Sequence, residues 1–332
     1  MASVCAFVLT RNRKDMLLEC VAGLDRQTEP VERILIVDNA SDDGSEELLR
    51  ERGIIGREDV IYERLDENRG GAGGYAHGIV AGLAQGTEWL WTMDDDAEPR
   101  PDALERLLRS PAAREPDTVA LAGAVVNLDG SIDLLHRGYV GRFMRMAPRE
   151  VYERDGNPPL GFSSFVGLLV RTSPARLEPP PPAEFFIGCD DVDYTIRLRR
   201  HGRIRLVPDS VIEHKLVMGG GAMTRRARIL NSLLGADYRA SSWEDYWKNL
   251  YAMRNFFWIR AHRGHLSPVA FAGMTAAYVA KSLLYDDRPF ERVPWIVRYA
   301  WKGRRGDFGG PSPAEWRAIA ERSTGSSTMA AR

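Results

Sequence analysis

Three consecutive carboxylates, Asp94, Asp95 and Asp96, directly follow the apolar segment 89–93. Adjacent carboxylates repel one another, so either solvent or a cation has to offset their charge. Oxygen ligands of this kind favour Mg²⁺ or Mn²⁺ over zinc. Because alternate residues of a turn can point the same way, we expect Asp94 and Asp96 to share one cation while Asp95 points elsewhere. The alternative reading is an acidic turn exposed to solvent.

A second group of acids, Asp190, Asp191 and Asp193, lies at the start of a helix predicted over 192–200. Capping explains one acid at a helix N-terminus, but it does not obviously explain three. A carboxylate kept ionised by a helix N-terminus suits a general base, so Asp191 is the predicted catalytic residue. Phe186 and Asp190 are further candidate binding residues in the same segment. Capping alone remains the alternative.

Other candidate residues follow other predicted strands. His214 is a candidate third metal ligand, although a lone histidine in an apolar strand is more often structural. Asp38 could accept hydrogen bonds from a nucleoside, as the acidic residue of dinucleotide-binding folds does from ribose, or it could cap the next helix. The backbone amides of Gly70–Gly74 could hold a diphosphate or ribose at a helix start, or the glycines could form a flexible turn.

The elements that must position these residues alternate in type. Strands are predicted over 4–9, 33–38, 60–65 and 88–93, with helical patterns between them. This order predicts an α/β fold: a mixed, mainly parallel sheet with helices on both faces. Ligands of such sheets bind outside the carboxyl ends of the strands, which is where Asp38, the glycines and the Asp triplet occur.

The predicted domains follow from a change of pattern along the chain. Residues 1–235 are expected to form one α/β domain, whose pattern changes after residue 99. An aromatic, basic and mostly helical extension is expected over 236–320. Residues 321–332 are expected to be a disordered tail.

Composition narrows the possible classes of protein. The 332 residues carry a formal net charge of −1, which argues against a nucleic-acid partner. Three cysteines without metal-type spacing suit a reducing cytosol, so the expected location is the cytoplasm or the cytoplasmic face of the membrane. The N-terminus reads as a first strand instead of a signal peptide, and the longest uncharged run is too short to span a membrane.

Several segments resemble a known family. Residues 10–13, 37–41, 68–71 and 94–96, in this order, resemble glycosyltransferase family 2, whose GT-A fold binds nucleotide sugars. Within that family, residues 68–76, 84–91, 186–193, 251–255 and 303–310 are similar to bacterial galactofuranosyltransferases. The resemblance implies a GT-A catalytic domain over 1–235, with a nucleotide-sugar half over 1–99 and an acceptor half over 100–235, followed by a helical extension.

The resemblance also implies a role for each matching residue. The nucleoside, the ribose and sugar, the cation and the acceptor would each have their own group of residues. The nucleoside would be held by Thr10, Arg11 and Asp38, and the ribose and sugar by Asn68, Gly70, Gly71, Gly74 and Asp95. Mn²⁺ or Mg²⁺ would be held by Asp94, Asp96 and His214. Asp191 would be the base, and Phe186 and Asp190 would lie on the acceptor side.

The predicted function is a metal-dependent inverting glycosyltransferase in cell-envelope polysaccharide synthesis. It would move galactofuranose from UDP-galactofuranose to a hydroxyl of a glycan or a polyprenyl-linked glycan. A rhamnosyltransferase using a dTDP sugar is the nearest alternative. A nucleotidyltransferase would need a stronger basic loop than Arg11–Lys14, and a non-catalytic nucleotide-sugar binder would not need Asp191.

Two segments outside the site suggest interactions or motion. Residues 292–302 alternate aromatic and basic residues, which suits either a membrane interface or a helix packed on the catalytic domain. Gly219–Gly221 is predicted to hinge a lid over the bound donor.

Overall fold

The chain divides into two units in the computed structural model, which describes residues 2–215, 224–234 and 241–329. The first unit is Met1–Phe186 with Asp190–Val217, and the second is Ile187–Cys189 with Met218–Arg332. The domain boundary expected near residue 235 and the hinge expected at Gly219–Gly221 lie outside the described residues. Both therefore stay predictions.

The first unit contains strands β1 to β12 and helices α1 to α7. The strands are β1 Val4–Thr10, β2 Arg33–Asp38, β3 Val60–Arg64, β4 Trp89–Asp94, β5 Ala97–Pro99, β6 Thr118–Val126, β7 Arg137–Val140, β8 Met144–Met146, β9 Pro159–Leu160, β10 Phe162–Ser163, β11 Leu168–Arg171 and β12 Arg203–His214. The helices are α1 Lys14–Asp25, α2 Ser45–Glu51, α3 Gly70–Ala84, α4 Ala103–Arg109, α5 Arg149–Tyr152, α6 Thr172–Ala175 and α7 Asp190–Leu198.

The main sheet is mixed and mainly parallel, as the sequence predicted. Its strand order is β3-β2-β1-β4-β11-β6-β12-β5, and β9 also pairs with β12. Strands β3, β2, β1 and β4 are parallel to one another, β11 runs antiparallel between β4 and β6, and β6 and β12 are parallel. The strands β1, β2, β4, β6 and β12 therefore end at the same edge. A small second sheet has the order β10-β7-β8.

Helices cover both faces of the main sheet, because alternate residues of each strand point to opposite sides. In β1, Phe7 and its alternate neighbours pack in one core cluster with Tyr75 and Ile79 of α3. The intervening residues, including Val8, pack in another cluster with Leu17 of α1 and residues of α4. The two-faced arrangement that the strand–helix alternation predicted is confirmed.

The glycine segment differs from its prediction as a loop. Helix α3 begins at Gly70, so Gly70–Gly74 form its first turns. Glycines of this helix permit close packing against β1: a Cβ on Gly74 would lie 2.5 Å from Leu9 Cδ1, and one on Gly78, further along the helix, would lie 1.9 Å from the Phe7 ring. Tertiary packing against β1 therefore outweighs the low helix propensity of glycine here.

Helix α2 does not use Asp38, the residue that the sequence offered as an alternative cap. Gly44 directly precedes the helix, and Asp43 accepts hydrogen bonds from the Ser45 amide and hydroxyl at 3.1 and 2.5 Å. Asp43 is therefore the acid that holds this helix start.

The second unit is helical. Its helices are α8 Arg225–Leu234, α9 Tyr246–His262, α10 Pro268–Tyr285, α11 Pro289–Arg305 and α12 Pro313–Met329. Helix α12 includes residues 321–329, which the sequence assigned to a disordered tail. Within the described ranges, no helix is both long and apolar enough to cross a lipid bilayer.

Candidate active site

The site is built at the edge of the main sheet where parallel strands end. Thr10 ends β1, Asp38 ends β2, Asp94 ends β4 and His214 ends β12. In the register between β5 and β12, His214 is opposite Ala97, the residue after Asp96. This pairing brings an imidazole from late in the chain beside the Asp triplet.

Asp94, Asp96 and His214 form a cluster that could hold a cation. One ligand atom of each residue lies within 4.8 Å of the others. Asp96 Oδ1 is 3.3 Å from His214 Nε2, yet neither Asp96 Oδ1 nor His214 Nδ1 makes a hydrogen bond, although both atoms are buried. Two carboxylates and one imidazole suit Mn²⁺ and, with more water ligands, Mg²⁺. The residues therefore fit the cation that the sequence predicted.

The charges of this cluster are unbalanced without a cation. Burial raises the pKa of Asp94 to about 7, and the charge of Asp96 adds to the effect. Burial would also raise the pKa of Asp96, but His214 and Arg13 outweigh it and lower that pKa. The pKa of His214 is raised because Asp96 outweighs the effect of burial. A proton on Asp94 and another on His214 thus offset the negative charge that a divalent cation would otherwise neutralise.

Two residues around the triplet were not picked out from the sequence. The Tyr75 hydroxyl donates to Asp94 Oδ1 at 2.5 Å, and its ring stacks on Phe165 with centroids 4.2 Å apart. Arg13 donates to Asp95 Oδ1 at 2.9 Å and to Asp96 Oδ2 at 2.8 Å. The sequence did hold a signal for each: Tyr75 directly follows Gly74, and Arg13 belongs to the 10–13 segment that resembles the family.

Asp95 points away from the cation cluster, and it is also buried. Its Oδ2 accepts hydrogen bonds from the Thr10 hydroxyl at 2.8 Å and the Arg11 amide at 3.2 Å, while Oδ1 pairs with Arg13. Thr10 and Asp95 are 1% and 3% exposed. Thr10 and Asp95, both predicted to contact the donor, therefore join the end of β1 to the end of β4, and their contact with a donor stays a prediction.

Asp38, expected against the nucleoside, is likewise in the interior. Its Oδ1 accepts from the Ser41 amide at 2.7 Å and its Oδ2 from the Tyr62 hydroxyl at 2.6 Å. Arg11 donates to the carbonyls of Asn39 and Ala40 at 2.7 and 2.9 Å. Asp38 and Arg11 thus fix the loop after β2, and only Arg11 of the pair is partly exposed.

The start of α3 divides the predicted sugar-side residues. Asn68 is exposed, and its Oδ1 accepts from the Gly70 amide at 2.9 Å. A Cβ on Gly71 would meet no atom within 4 Å, whereas Gly70 and Gly74 are packed against protein. Asn68 and Gly71 therefore lie on the open side, whereas Gly70 and Gly74 are closely packed; the donor contacts predicted for all four stay predictions.

Asp191 lies in the first turn of α7, close enough to Asp94 for their charges to interact. Burial raises its pKa to about 6, a hydrogen bond from the Val192 amide at 2.7 Å opposes that rise, and Asp94 adds to it. The neighbouring acids differ: Asp190 is buried, and Asp193 is a buried partner of Arg197 at 2.8 Å. A carboxyl group with this pKa can accept a proton near neutral pH.

Phe186 precedes these acids in a strained backbone conformation, with φ 62° and ψ −51°. Its carbonyl accepts a hydrogen bond from the Ala72 amide at 3.1 Å. The structure therefore shows a backbone link from this predicted acceptor-side residue to the start of α3.

Sequence reasoning also missed Asp133, His136 and Arg137. Arg137 is fully buried and donates to backbone carbonyls that include Gly123 at 3.0 Å and Val166 at 2.7 Å. His136 lies edge-to-face with His214, with ring centroids 5.0 Å apart. The spacing Asp-x-x-His after β6 was the one local signal for this pair.

Comparisons with known proteins agree with this arrangement. The family described as glycosyl transferase family 2 matches residues 5–176. Galactofuranosyltransferase GlfT1 of Mycolicibacterium smegmatis is 29% identical over 235 residues, 67% of this chain and 76% of the relative. Its namesake from Mycobacterium tuberculosis H37Rv is 32% identical over 205 residues, 60% of this chain and 66% of the relative.

Two solved structures share the fold. A crystal structure of GalNAc-T7 with UDP, GalNAc and Mn²⁺ has a TM-score of 0.53 and 14% identity, and the match covers 81% of this chain but only 53% of GalNAc-T7. A structure of S. aureus TarS 1–349 with UDP has a TM-score of 0.50 and 15% identity, covering 98% of this chain and 92% of the other. At these identities the likeness concerns the fold, and it confirms the predicted GT-A type.

Proposed function

The chain belongs to glycosyl transferase family 2 and is a glycosyltransferase, and from that premise we propose that it moves galactofuranose from UDP-galactofuranose. The acceptor would be a hydroxyl group of a glycan or a polyprenyl-linked glycan in cell-envelope polysaccharide synthesis. The donor assignment is supported by the similarity to the two galactofuranosyltransferases. The observation that carries the chemistry is the Asp191 carboxyl group at the start of α7, whose pKa is raised to about 6 by burial and by the charge of Asp94, a member of the cation cluster.

Each residue has a role in the proposed reaction. Asp94, Asp96 and His214 would hold Mn²⁺ or Mg²⁺, which when bound would neutralise charge on the departing diphosphate. Asp191 accepts the proton of the acceptor hydroxyl, and that oxygen forms a bond to the anomeric carbon as the bond to UDP breaks. A single displacement inverts the anomeric configuration, so an α-linked furanose donor would give a β-furanoside.

The residues around the cluster would support this chemistry without touching the reacting atoms. Tyr75 and Arg13 restrict the carboxylates of Asp94 and Asp96 through the hydrogen bonds described above. Because these ligands are already oriented, the protein does not have to reorganise around them during the reaction. Asn68 and Gly71, on the open side of the start of α3, are the proposed contacts to the donor.

The test is a donor panel offered with a polyprenyl-linked glycan mimic, with products identified by mass spectrometry. UDP-galactofuranose should be consumed and its sugar transferred. Transfer from dTDP-rhamnose alone would replace the proposed donor, and cleavage of a nucleoside triphosphate without sugar transfer would favour a nucleotidyltransferase. Donor binding with no product from any donor would support a non-catalytic binder.

The role of Asp191 has its own test. Asp191→Asn should lower turnover by about 10²- to 10⁴-fold, the usual contribution of a general base, while UDP binding is kept. Glu184→Gln changes an exposed carboxylate in the preceding segment and should leave turnover unchanged. Substantial residual turnover in Asp191→Asn would refute the assignment.

We also propose that the second unit contacts the cytoplasmic face of the membrane. Phe290 and Val269 are 85% and 83% exposed, and Trp301 is 45% exposed, while Arg292 and Tyr299 of the aromatic-basic segment are buried. Flotation with anionic liposomes should fail for Phe290→Ser combined with Val269→Ser, but not for Leu135→Ser, which changes an exposed leucine of the first unit. Equal flotation of the unsubstituted chain, the double variant and Leu135→Ser would contradict the proposed membrane-binding surface.

A further inference from the structure

Asp133 and His136 lie at the same sheet edge as the cation cluster, although they come from another part of the chain. They follow β6, and the Asp133 amide donates to the Val125 carbonyl at 2.8 Å. Since β6 pairs with β12 with Val126 opposite Glu213, this turn is brought beside His214. One ligand atom each of Asp133, His136 and His214 lies within 4.8 Å of the other two.

The distances within this group suit a metal ion better than a direct ion pair. Asp133 Oδ2 and His136 Nε2 are 3.3 Å apart. Charge-assisted hydrogen bonds between nitrogen and oxygen are shorter, about 2.7 to 2.9 Å. Two ligands of a tetrahedral ion with bonds of about 2.0 to 2.2 Å are separated by about 3.3 to 3.6 Å. The observed separation is therefore long for a direct ion pair and matches two ligands of one ion.

The surroundings of His136 are those of a metal-binding imidazole. Its Nδ1 is 2.9 Å from the Ser164 hydroxyl oxygen, so a hydrogen bond there orients the ring and leaves Nε2 on the Asp133 side. Metal-binding histidines are usually held by such a bond from their second nitrogen. Asp133 is fixed too, because its Oδ1 accepts from the Leu135 amide at 3.0 Å.

His214 supplies an independent sign that a ligand belongs here. The residue is 8% exposed, and its buried Nδ1 has no hydrogen-bond partner, while its Nε2 is the nitrogen near Asp96. The side chains of Asp133, His136 and His214 are 14%, 12% and 10% exposed, so a small ion could still enter from solvent.

We propose that Asp133, His136 and His214 bind a divalent transition-metal ion, with Zn²⁺ the best fit, at a second site that shares His214 with Asp94 and Asp96. Two imidazoles and one carboxylate with an open fourth position are a common zinc donor set. A neutral imidazole has one nitrogen with a free lone pair, so His214 binds one ion at a time. Zinc at the second site therefore competes with Mn²⁺ at the first for His214.

Calorimetric titration of the full chain with Zn²⁺ tests the proposal without an activity assay. His136→Ala should weaken zinc binding at least about tenfold, since even outer-shell partners of metal ligands contribute that much. Asp133→Asn, which keeps the shape and the Leu135 hydrogen bond, should weaken it as well. His77→Ala is the matched control: His77 also pairs with a carboxylate, Glu63, at 2.6 Å, but on the surface and outside any such three-residue group among the described residues.

Two further measurements separate the sites. Asp96→Asn removes a ligand of the first site only, so zinc binding should persist in it. One equivalent of Zn²⁺ should lower the affinity for Mn²⁺, followed by electron paramagnetic resonance, in the unsubstituted chain but not in His136→Ala. Zinc binding that is unchanged in His136→Ala and Asp133→Asn, or abolished in Asp96→Asn, would overturn the proposal. None of these readouts depends on the donor or acceptor proposed above.

Discussion

Gly70 is the position where the smallest substitution should have the largest effect on the site. Its φ is +69°, and a Cβ added to it would lie 2.1 Å from the carbonyl oxygen of Phe186. The next residue, Gly71, belongs to the same helix, has no positive φ and would place its Cβ in open space. Replacing each glycine with alanine therefore adds the same methyl group in two different environments.

The two substitutions should change the free energy of unfolding in opposite directions. Left-handed backbone costs an alanine roughly 1 to 2 kcal/mol, and forcing apart a packed contact costs about 1 to 3 kcal/mol more. Gly70→Ala should therefore lower the free energy of unfolding of the first unit by roughly 2 to 5 kcal/mol. Gly71→Ala should raise it by about 0.5 to 1 kcal/mol, because alanine is the better helix former.

The clash should also change the reaction. The Phe186 carbonyl that would have to move accepts the Ala72 amide, and the predicted base Asp191 lies shortly after it in the chain. Gly70→Ala should therefore lower sugar transfer even under conditions in which the protein stays folded. Gly71→Ala should lower sugar transfer only by blocking a contact with the donor, so any reduction would appear as weaker donor affinity.

Urea unfolding followed by far-ultraviolet circular dichroism measures the stability of both variants, and product formation from saturating donor measures the second effect. Equal unfolding midpoints for Gly70→Ala and the unsubstituted chain would refute the packing argument. A destabilised Gly71→Ala would refute it as well, because no atom opposes that methyl group.

Three other predictions follow from the electrostatics of the site. Burial and Asp96 raise the pKa of Asp94 to about 7 from an ordinary value of 3.8, so the protein without bound metal should lose stability as pH rises between these two values. Asp94→Asn should therefore raise the free energy of unfolding by roughly 1 to 3 kcal/mol at pH 8 but not at pH 3. The same substitution should abolish stabilisation by Mn²⁺ in thermal-shift assays. Because burial raises the pKa of the proposed base Asp191 to about 6, single-turnover rates should rise as pH increases through about 6, and a flat profile from pH 5 to 7 would contradict that role. Arg137→Met would leave the carbonyls of Gly123 and Val166 without their buried donor and should lower the unfolding free energy by about 3 to 5 kcal/mol, which chemical denaturation would measure.

The sheet and the place of the site could be predicted because both depend on short-range patterns. Buried strands alternate with helices, and residues that end parallel strands must meet at one edge. That reasoning alone brings Asp94 and His214 to the same place, and the structure shows one ligand atom of each within 4.8 Å. The sequence separation of the two residues does not matter once the strand order is known.

Sequence could not decide which strand-end side chains face solvent. Thr10, Asp38 and Asp95 end strands or follow them, yet the structure buries all three and satisfies their oxygens with neighbouring loops. Burial of this kind depends on which loop covers which strand end, and no local pattern records that choice. The same limit applies to His136, whose meeting with His214 depends on the pairing of β6 with β12.

The Asp triplet shows how the protein distributes three adjacent charges. Asp95 is neutralised by Arg13 and uses both oxygens in hydrogen bonds, so it needs no further partner. Asp94 and Asp96 are in a different position: the pKa of Asp94 is raised by burial and by Asp96, and Asp96 Oδ1 is buried without a hydrogen bond. Leaving such oxygens unsatisfied is costly, and a proton on Asp94 relieves only part of the cost. A divalent cation bound by Asp94, Asp96 and His214 would remove the remainder, which is why we place the cation with these two acids and not with Asp95.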